Sequence, residues 1–208
     1  MKKITLSLAL CVLIVSAFSI YSVAQEGQDI SDNFVRLHIR ADSNDENAQK
    51  IKLQVRDYVL KKTKGLFVNV NSVDDAKKVI SENLGVFEQT ANEALKQAGV
   101  DYKAHAVFGK NFFPTREYNN FTLPAGKYDS LIINLGSGKG KNWWCVIYPT
   151  LCYSGSDVSI KDKDKVQGSL SDEEYGLITG SDGEKTVVKF KILEWFTDIK
   201  EYFSDQDK

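Results

Sequence analysis

From Val73 to Ala98 the apolar residues Val73, Ala76, Ile80, Leu84, Phe87, Ala91, Ala94, Leu95 and Ala98 recur in steps of three and four. Such a stripe winds down one side of a helix and must be buried against another layer. Ser72-Val73-Asp74-Asp75 reads as a capping box that opens the helix, Gly99 supplies its stop, and Gly85 is the one place where it would bend. A second stripe, Ala48, Ile51, Val55, Tyr58 and Val59, follows another apparent box, Ser43-Asn44-Asp45-Glu46. It ends in Lys61, Lys62, Lys64 and Gly65, cations and a breaker at the negative end of the helix dipole. Helices are therefore expected over 44–62 and 73–98, packing a common core.

The layer they cover is written just upstream. Phe34 to Arg40 alternates strictly, with Val35, Leu37 and Ile39 on one face and Arg36, His38 and Arg40 on the other, the pattern of a half-buried strand. Lys103 to Phe108, Tyr128 to Leu135 and Trp143 to Tyr148 are rich in β-branched and aromatic residues and separated by Pro, Gly and Asn. The last two are joined by Gly136-Ser137-Gly138-Lys139-Gly140-Lys141-Asn142, which reads as a hairpin loop. The expectation is an α+β fold, with an antiparallel sheet packed on one face by two long helices. With 208 residues, 42% of them hydrophobic, the chain suits one ordinary domain. The main domain is placed at 34–152. Residues 153–185 are poor in apolar side chains and read as a mobile surface excursion. Residues 186–208 add a strand and a C-terminal helix burying Ile192, Trp195, Phe196, Ile199 and Phe203.

Lys2 and Lys3 precede an uncharged stretch from Ile4 to Ala24 that closes on Ser22-Val23-Ala24, a small-x-small cut site. Residues 1–24 thus read as an export signal, and 25–33 as a polar lead-in. The other reading is an uncleaved anchor, since an uncharged run of this length can cross a bilayer. Cys11 sits in a poor lipobox and too early in the apolar run to carry a lipid. Export leaves Cys145 and Cys152 as the mature chain's two cysteines, in a compartment that permits disulfides. A structural bridge is favoured over a nucleophilic cysteine, which would need His38 or His105 to activate it.

Several chemistries are excluded or weakened by spacing. Without Lys2 and Lys3 the chain carries 25 basic against 28 acidic residues, which leaves no electrostatic footprint for nucleic acid. The glycine loop has three residues between Gly136 and Gly140 and then Lys-Asn, where a phosphate-binding loop has four and then Lys-Ser or Lys-Thr. Asp42 to Asn47 opens faintly like a calcium loop but lacks its glycine, and Leu53 stands where the bidentate glutamate belongs. Two histidines and no clustered cysteines argue against zinc. No carboxylate spacing marks an acid and base pair, so no catalytic residue, cofactor or metal is assigned.

Two features rise above this background. Among 27 basic residues only four are arginine, yet Arg36, Arg40 and Arg56 lie close together, as positions wanting a planar, bidentate donor do. They either clamp Asp42, Asp45 or Asp57 internally or contact a partner. Trp143 and Trp144 are adjacent on a strand and so point to opposite faces. Either the strand is covered on both sides, or one face is an aromatic patch of the kind that anchors interfaces. The candidate partner surface is Arg36, His38 and Arg40 together with Asn142, Trp143 or Trp144.

FVRLHIRADS from Phe34 to Ser43, KLQVRD from Lys52 to Asp57, Phe113-Pro114-Thr115, LPAGKYDSLIINLGSGKGKNWWCVIYPTLC from Leu123 to Cys152 and FKILEWF from Phe190 to Phe196 together resemble the stage II sporulation protein R family. The resemblance implies an intercellular signal in endospore-forming bacteria. Such a protein is made in the forespore and exported into the space between forespore and mother cell. There it triggers a membrane-embedded aspartic protease of the mother cell, which processes the precursor of sigma factor E. Membrane contact would come only through export and this receptor, and the protein itself would be an activator rather than an enzyme. A different class also fits the aromatic residues: a peptidoglycan-binding module or hydrolase stacking sugar rings on Trp143, Trp144, Tyr148 and Tyr153.

Overall fold

The computed structural model describes residues 2–118, 121–149, 152, 170–180 and 191. Chain order is α1 (Lys2–Asp32), β1 (Val35–Arg40), α2 (Glu46–Thr63), a short 3-10 turn (Lys64–Phe67), α3 (Val73–Glu82), α4 (Leu84–Gln97), β2 (Ala104–Phe113), β3 (Arg116–Glu117), β4 (Thr122–Leu123), β5 (Gly126–Leu135), β6 (Asn142–Tyr148) and α5 (Asp172–Thr179). The fold is α+β. Its four-stranded sheet runs β2-β5-β1-β6, and β3 and β4 form a separate two-stranded sheet.

The large sheet is mixed where an antiparallel one is expected. β1 pairs parallel with β5, Leu37 opposite Leu131, and antiparallel with β6, Leu37 opposite Cys145. A parallel pair needs a long crossover, and α2, α3 and α4 all lie between β1 and β5 in the chain. Because β1 sits between β5 and β6, the Gly136–Asn142 segment is not a hairpin loop. It passes over the C-terminal end of β1 and is clasped there. Asp42 Oδ1 accepts from the Ser137 amide at 2.6 Å, the Ala41 carbonyl from the Gly140 amide at 2.8 Å, and Asn44 Oδ1 from the Lys141 amide at 2.7 Å. Gly136, at φ 56°, has no room for a Cβ beside the Asp42 carboxylate, and a Cβ on Gly140 would run into the Ser43 carbonyl. The glycines thus serve close backbone approach.

The helices cover one face of this sheet. Val35, Leu37 and Ile39 are fully buried in a core that includes Ile51, Val55, Ile80, Phe87, Ala91 and Leu95. Each buried Val, Leu, Ile or Phe among these contributes about 1.5–3 kcal/mol. The α2 cap is Asp45, which accepts from the Ala48 amide at 2.8 Å; Ser43 instead bonds to the Asp45 carboxylate. The 73–98 helix is in fact two. α3 ends at Asn83, whose side chain donates to the Val79 carbonyl at 2.8 Å, and α4 starts one residue later, before Gly85. The apolar stripe survives the break because both pieces face the same core. On α4, Asn92 bonds both backbone groups of Ala104 and Glu88 accepts from the Ala106 amide. These contacts take up polar groups along the edge strand β2.

Two further segments differ from expectation. The polar lead-in is helical over residues 25–32, where it continues α1, buries Ile30 and ties Ser31 Oγ to the Lys127 carbonyl at 3.1 Å. Upstream, Leu10, Val12, Ile14, Val15, Phe18 and Tyr21 are exposed; among the described residues no helix is long and apolar enough to cross a membrane. Within the supposed excursion, α5 carries a reciprocal capping box between Ser171 and Glu174 and buries Leu177 and Ile178. Residues 153–169 and 181–185, and the expected C-terminal strand and helix apart from Lys191, lie outside the described residues.

Candidate interaction face

Strand alternation turns Arg36, His38 and Arg40 away from the helices, and register sets Val146, Trp144 and Asn142 beside them on β6. Arg56 and Trp143 fall on the helix side. The face opposite the helices is nevertheless covered rather than solvated at its lower end. Arg36 and His38 are 0% and 2% exposed, so β1 is buried on both sides instead of half-buried. The Arg36 guanidinium lies over the rings of Phe113, at 4.6 Å, and Tyr128, at 4.9 Å, and Nη2 donates to the Tyr118 hydroxyl at 2.8 Å. Aromatic faces thereby take the place that a carboxylate holds around most buried arginines. Burial pushes the Tyr118 and Tyr128 phenols up, and the adjacent guanidinium opposes that shift.

Above Arg36 the His38 imidazole stacks on the Trp144 indole and meets the Phe113 ring edge-on, while the Arg116 guanidinium sits 4.9 Å from the Trp144 ring. Burial lowers the His38 pKa to about 4; a hydrogen bond with Asn142 opposes this, and the charges of Arg40, Arg36 and Arg116 add to it. The imidazole is therefore neutral at physiological pH. Arg40, Arg116 and Trp144 are half-buried and Asn142 is exposed, so these four form the accessible end of the face. Arg36 Nε and Nη1, His38 Nε2, Arg40 Nε and Arg116 Nε are buried without a hydrogen-bond partner among the described residues. Among the described residues, no ion pair includes Arg36, Arg40 or Arg116.

The internal clamp holds for one arginine only. Arg56 pairs with Asp57 at 2.7 Å and stacks 4.1 Å over Trp143, which separates both residues from the other three arginines. Asp42 serves the Ser137 amide and Asp45 caps α2, so neither neutralises Arg36 or Arg40. Arg116, with Phe113 and Tyr118, is the component that sequence reasoning overlooks. Its one signal is scarcity, because in a chain with four arginines the last stands directly after Phe113-Pro114-Thr115.

Cys145 and Cys152 form a disulfide with Cα atoms 5.9 Å apart, so neither offers a thiolate. Among the described residues Trp143, Trp144 and Tyr148 do not assemble a bare sugar platform. Trp143 is taken up by Arg56, Trp144 by His38, Phe113 and Arg116, and Tyr148 is buried; Tyr153 lies outside the described residues.

A family model described as stage II sporulation protein R matches residues 31–158, which span β1 through the disulfide. The stage II sporulation protein R of Bacillus subtilis (strain 168) is 31% identical over 185 residues, covering 82% of this chain and 83% of that protein. No solved structure matches.

Proposed function

The chain belongs to the stage II sporulation protein R family, and from that premise we propose that it is an exported intercellular signal of endospore formation. It acts in the space between the forespore and mother-cell membranes, where it activates a membrane-embedded aspartic protease that processes the sigma-E precursor. The protein performs no chemistry of its own in this reading; it binds, and the receptor cuts. Kinship that runs through the whole sheet-and-helix domain is the observation that carries the proposal.

The geometry suits an activator. A binding partner shifts a receptor between states only through contacts that differ between them, and a tenfold bias needs about 1.4 kcal/mol. Half-buried arginines flanking a tryptophan are residue types that supply this at an interface. The test is precursor processing in cells given only this protein, the protease and the sigma precursor. Processing should require this protein and an intact signal segment. Processing without the protein, or none with it, overturns the reading.

A further inference from the structure

Three of the four arginines converge on one sheet face, and among the described residues none of the three meets an acid there. Desolvating a guanidinium without a counter-charge is costly, and ring faces offset only part of that cost. Arg36 is wholly buried with Nε and Nη1 unused, and His38 Nε2 is equally enclosed and unused. The charges of Arg40, Arg36 and Arg116 each add to the lowering of the His38 pKa that burial begins, so all three guanidiniums lie near that imidazole. At the accessible end, Arg40 and Arg116 each keep a buried Nε–H unpaired beside Trp144 and Asn142. A half-buried guanidinium whose Nε–H has no acceptor among the described residues gains from a charge-assisted hydrogen bond at its accessible N–H groups.

We propose that Arg40, Arg116 and Asn142, above a floor of Arg36, His38 and Trp144, form a carboxylate-binding site that receives an Asp or Glu side chain of the protein partner. This rests on the activator reading and names the partner chemistry of that face. A carboxylate fits because it is planar, accepts from a guanidinium fork, and carries a single charge into a site walled by rings. A phosphate, with its greater charge, would be harder to desolvate among Phe113, Tyr128 and Trp144.

The experiment titrates isotopically labelled full-length protein with N-acetylglutamate α-amide, following the arginine Nε–H and tryptophan indole resonances. Inorganic phosphate and chloride are run at matched ionic strength. The glutamate amide should move the Arg40, Arg116 and Trp144 signals saturably while Arg56 and Trp143 stay still. Arg40→Gln and Arg116→Gln should each weaken binding at least tenfold with a dispersed, folded spectrum. Arg40→Lys and Arg116→Lys serve where glutamine fails to fold, and should weaken binding severalfold because the fork is lost. Shifts that never saturate, that survive these substitutions, or that phosphate produces at lower concentration overturn the site. Precursor processing separates this from the activator reading. Processing that persists in folded variants without carboxylate binding removes the site from signalling and overturns the proposal. Processing that depends on a wild-type protein showing no carboxylate binding also overturns the site, while leaving the activator reading intact.

Discussion

The His38 imidazole lies on the Trp144 indole with ring centroids 4.0 Å apart and planes 20° apart, and the two residues face each other directly across β1 and β6. Cross-strand aromatic pairs of this kind help fix register. Here the indole also keeps water from a histidine that is charged only at acid pH. Trp144→Ala should therefore cost about 2–3 kcal/mol, below the fully buried range because the ring is half-exposed. It should also raise the His38 pKa from about 4 toward its ordinary value. Urea unfolding and imidazole titration by NMR measure the two effects. An unmoved pKa would mean that the indole is not what desolvates His38.

The same burial sets an acid limit on stability. His38 binds a proton less readily folded than unfolded, so the unfolded state carries more protons between the two pKa values. Stability from this group is complete above its ordinary value of 6.5 and is lost as pH falls toward 4. Over that window the loss is about 3 kcal/mol. His38→Phe should flatten this segment of the urea midpoint against pH. An unchanged slope in a folded variant would assign the acid sensitivity to other groups.

Asp42 and the glycine loop lock the C-terminal ends of β5 and β1 to the start of β6. Gly140→Ala should destabilise by about 2 kcal/mol or more, since the neighbour in the way is the Ser43 backbone rather than a yielding side chain. Asp42→Ala leaves the Ser137 amide without its acceptor and should cost about 1–2 kcal/mol. Chemical denaturation is the check, and neutrality of both would remove the clasp as a support of the fold.

Much of this architecture is legible in the residues. The stripes at Ile51 and Val55, and at Ile80 and Phe87, place the helices, and the alternation at Val35, Leu37 and Ile39 places the face they cover. Neighbour relations are not written in a period. Nothing local says that β1 lies between β5 and β6, so the glycine loop reads as a hairpin although its glycines answer to Asp42 and Ser43. The Asn83 break is invisible because the stripe continues in phase across it. Arg36 and His38 look solvated because alternation marks polarity and not exposure. The rings of Phe113, Tyr118, Tyr128 and Trp144, brought in from segments distant in sequence, explain how those polar groups are buried.

The Cys145–Cys152 bridge closes a short loop at the end of β6. Replacing both cysteines by serine should cost about 2–3 kcal/mol by the loop-entropy argument. Signalling should be reduced only in proportion to folded protein, because the bridge does no chemistry. Processing per unit of folded variant is the measurement. A complete loss at full folding would give the sulfurs a direct role.

Arg36 separates what holds the fold from what the face does. A cation buried without a carboxylate gives little stability, and replacing such groups by apolar residues of similar length is often neutral or stabilising. Arg36→Met keeps the stem against Phe113 and Tyr128 and removes the charge, while the Tyr118 hydroxyl loses its donor. These effects oppose one another, so thermal or urea stability should change by about 1 kcal/mol or less. Precursor processing should nonetheless fall at least tenfold, because the floor of the cationic face has gone. Stability retained with activity lost would mean that the arginine is kept for recognition. A loss of several kcal/mol with normal activity per folded molecule would make it a structural prop, held in place by its rings alone.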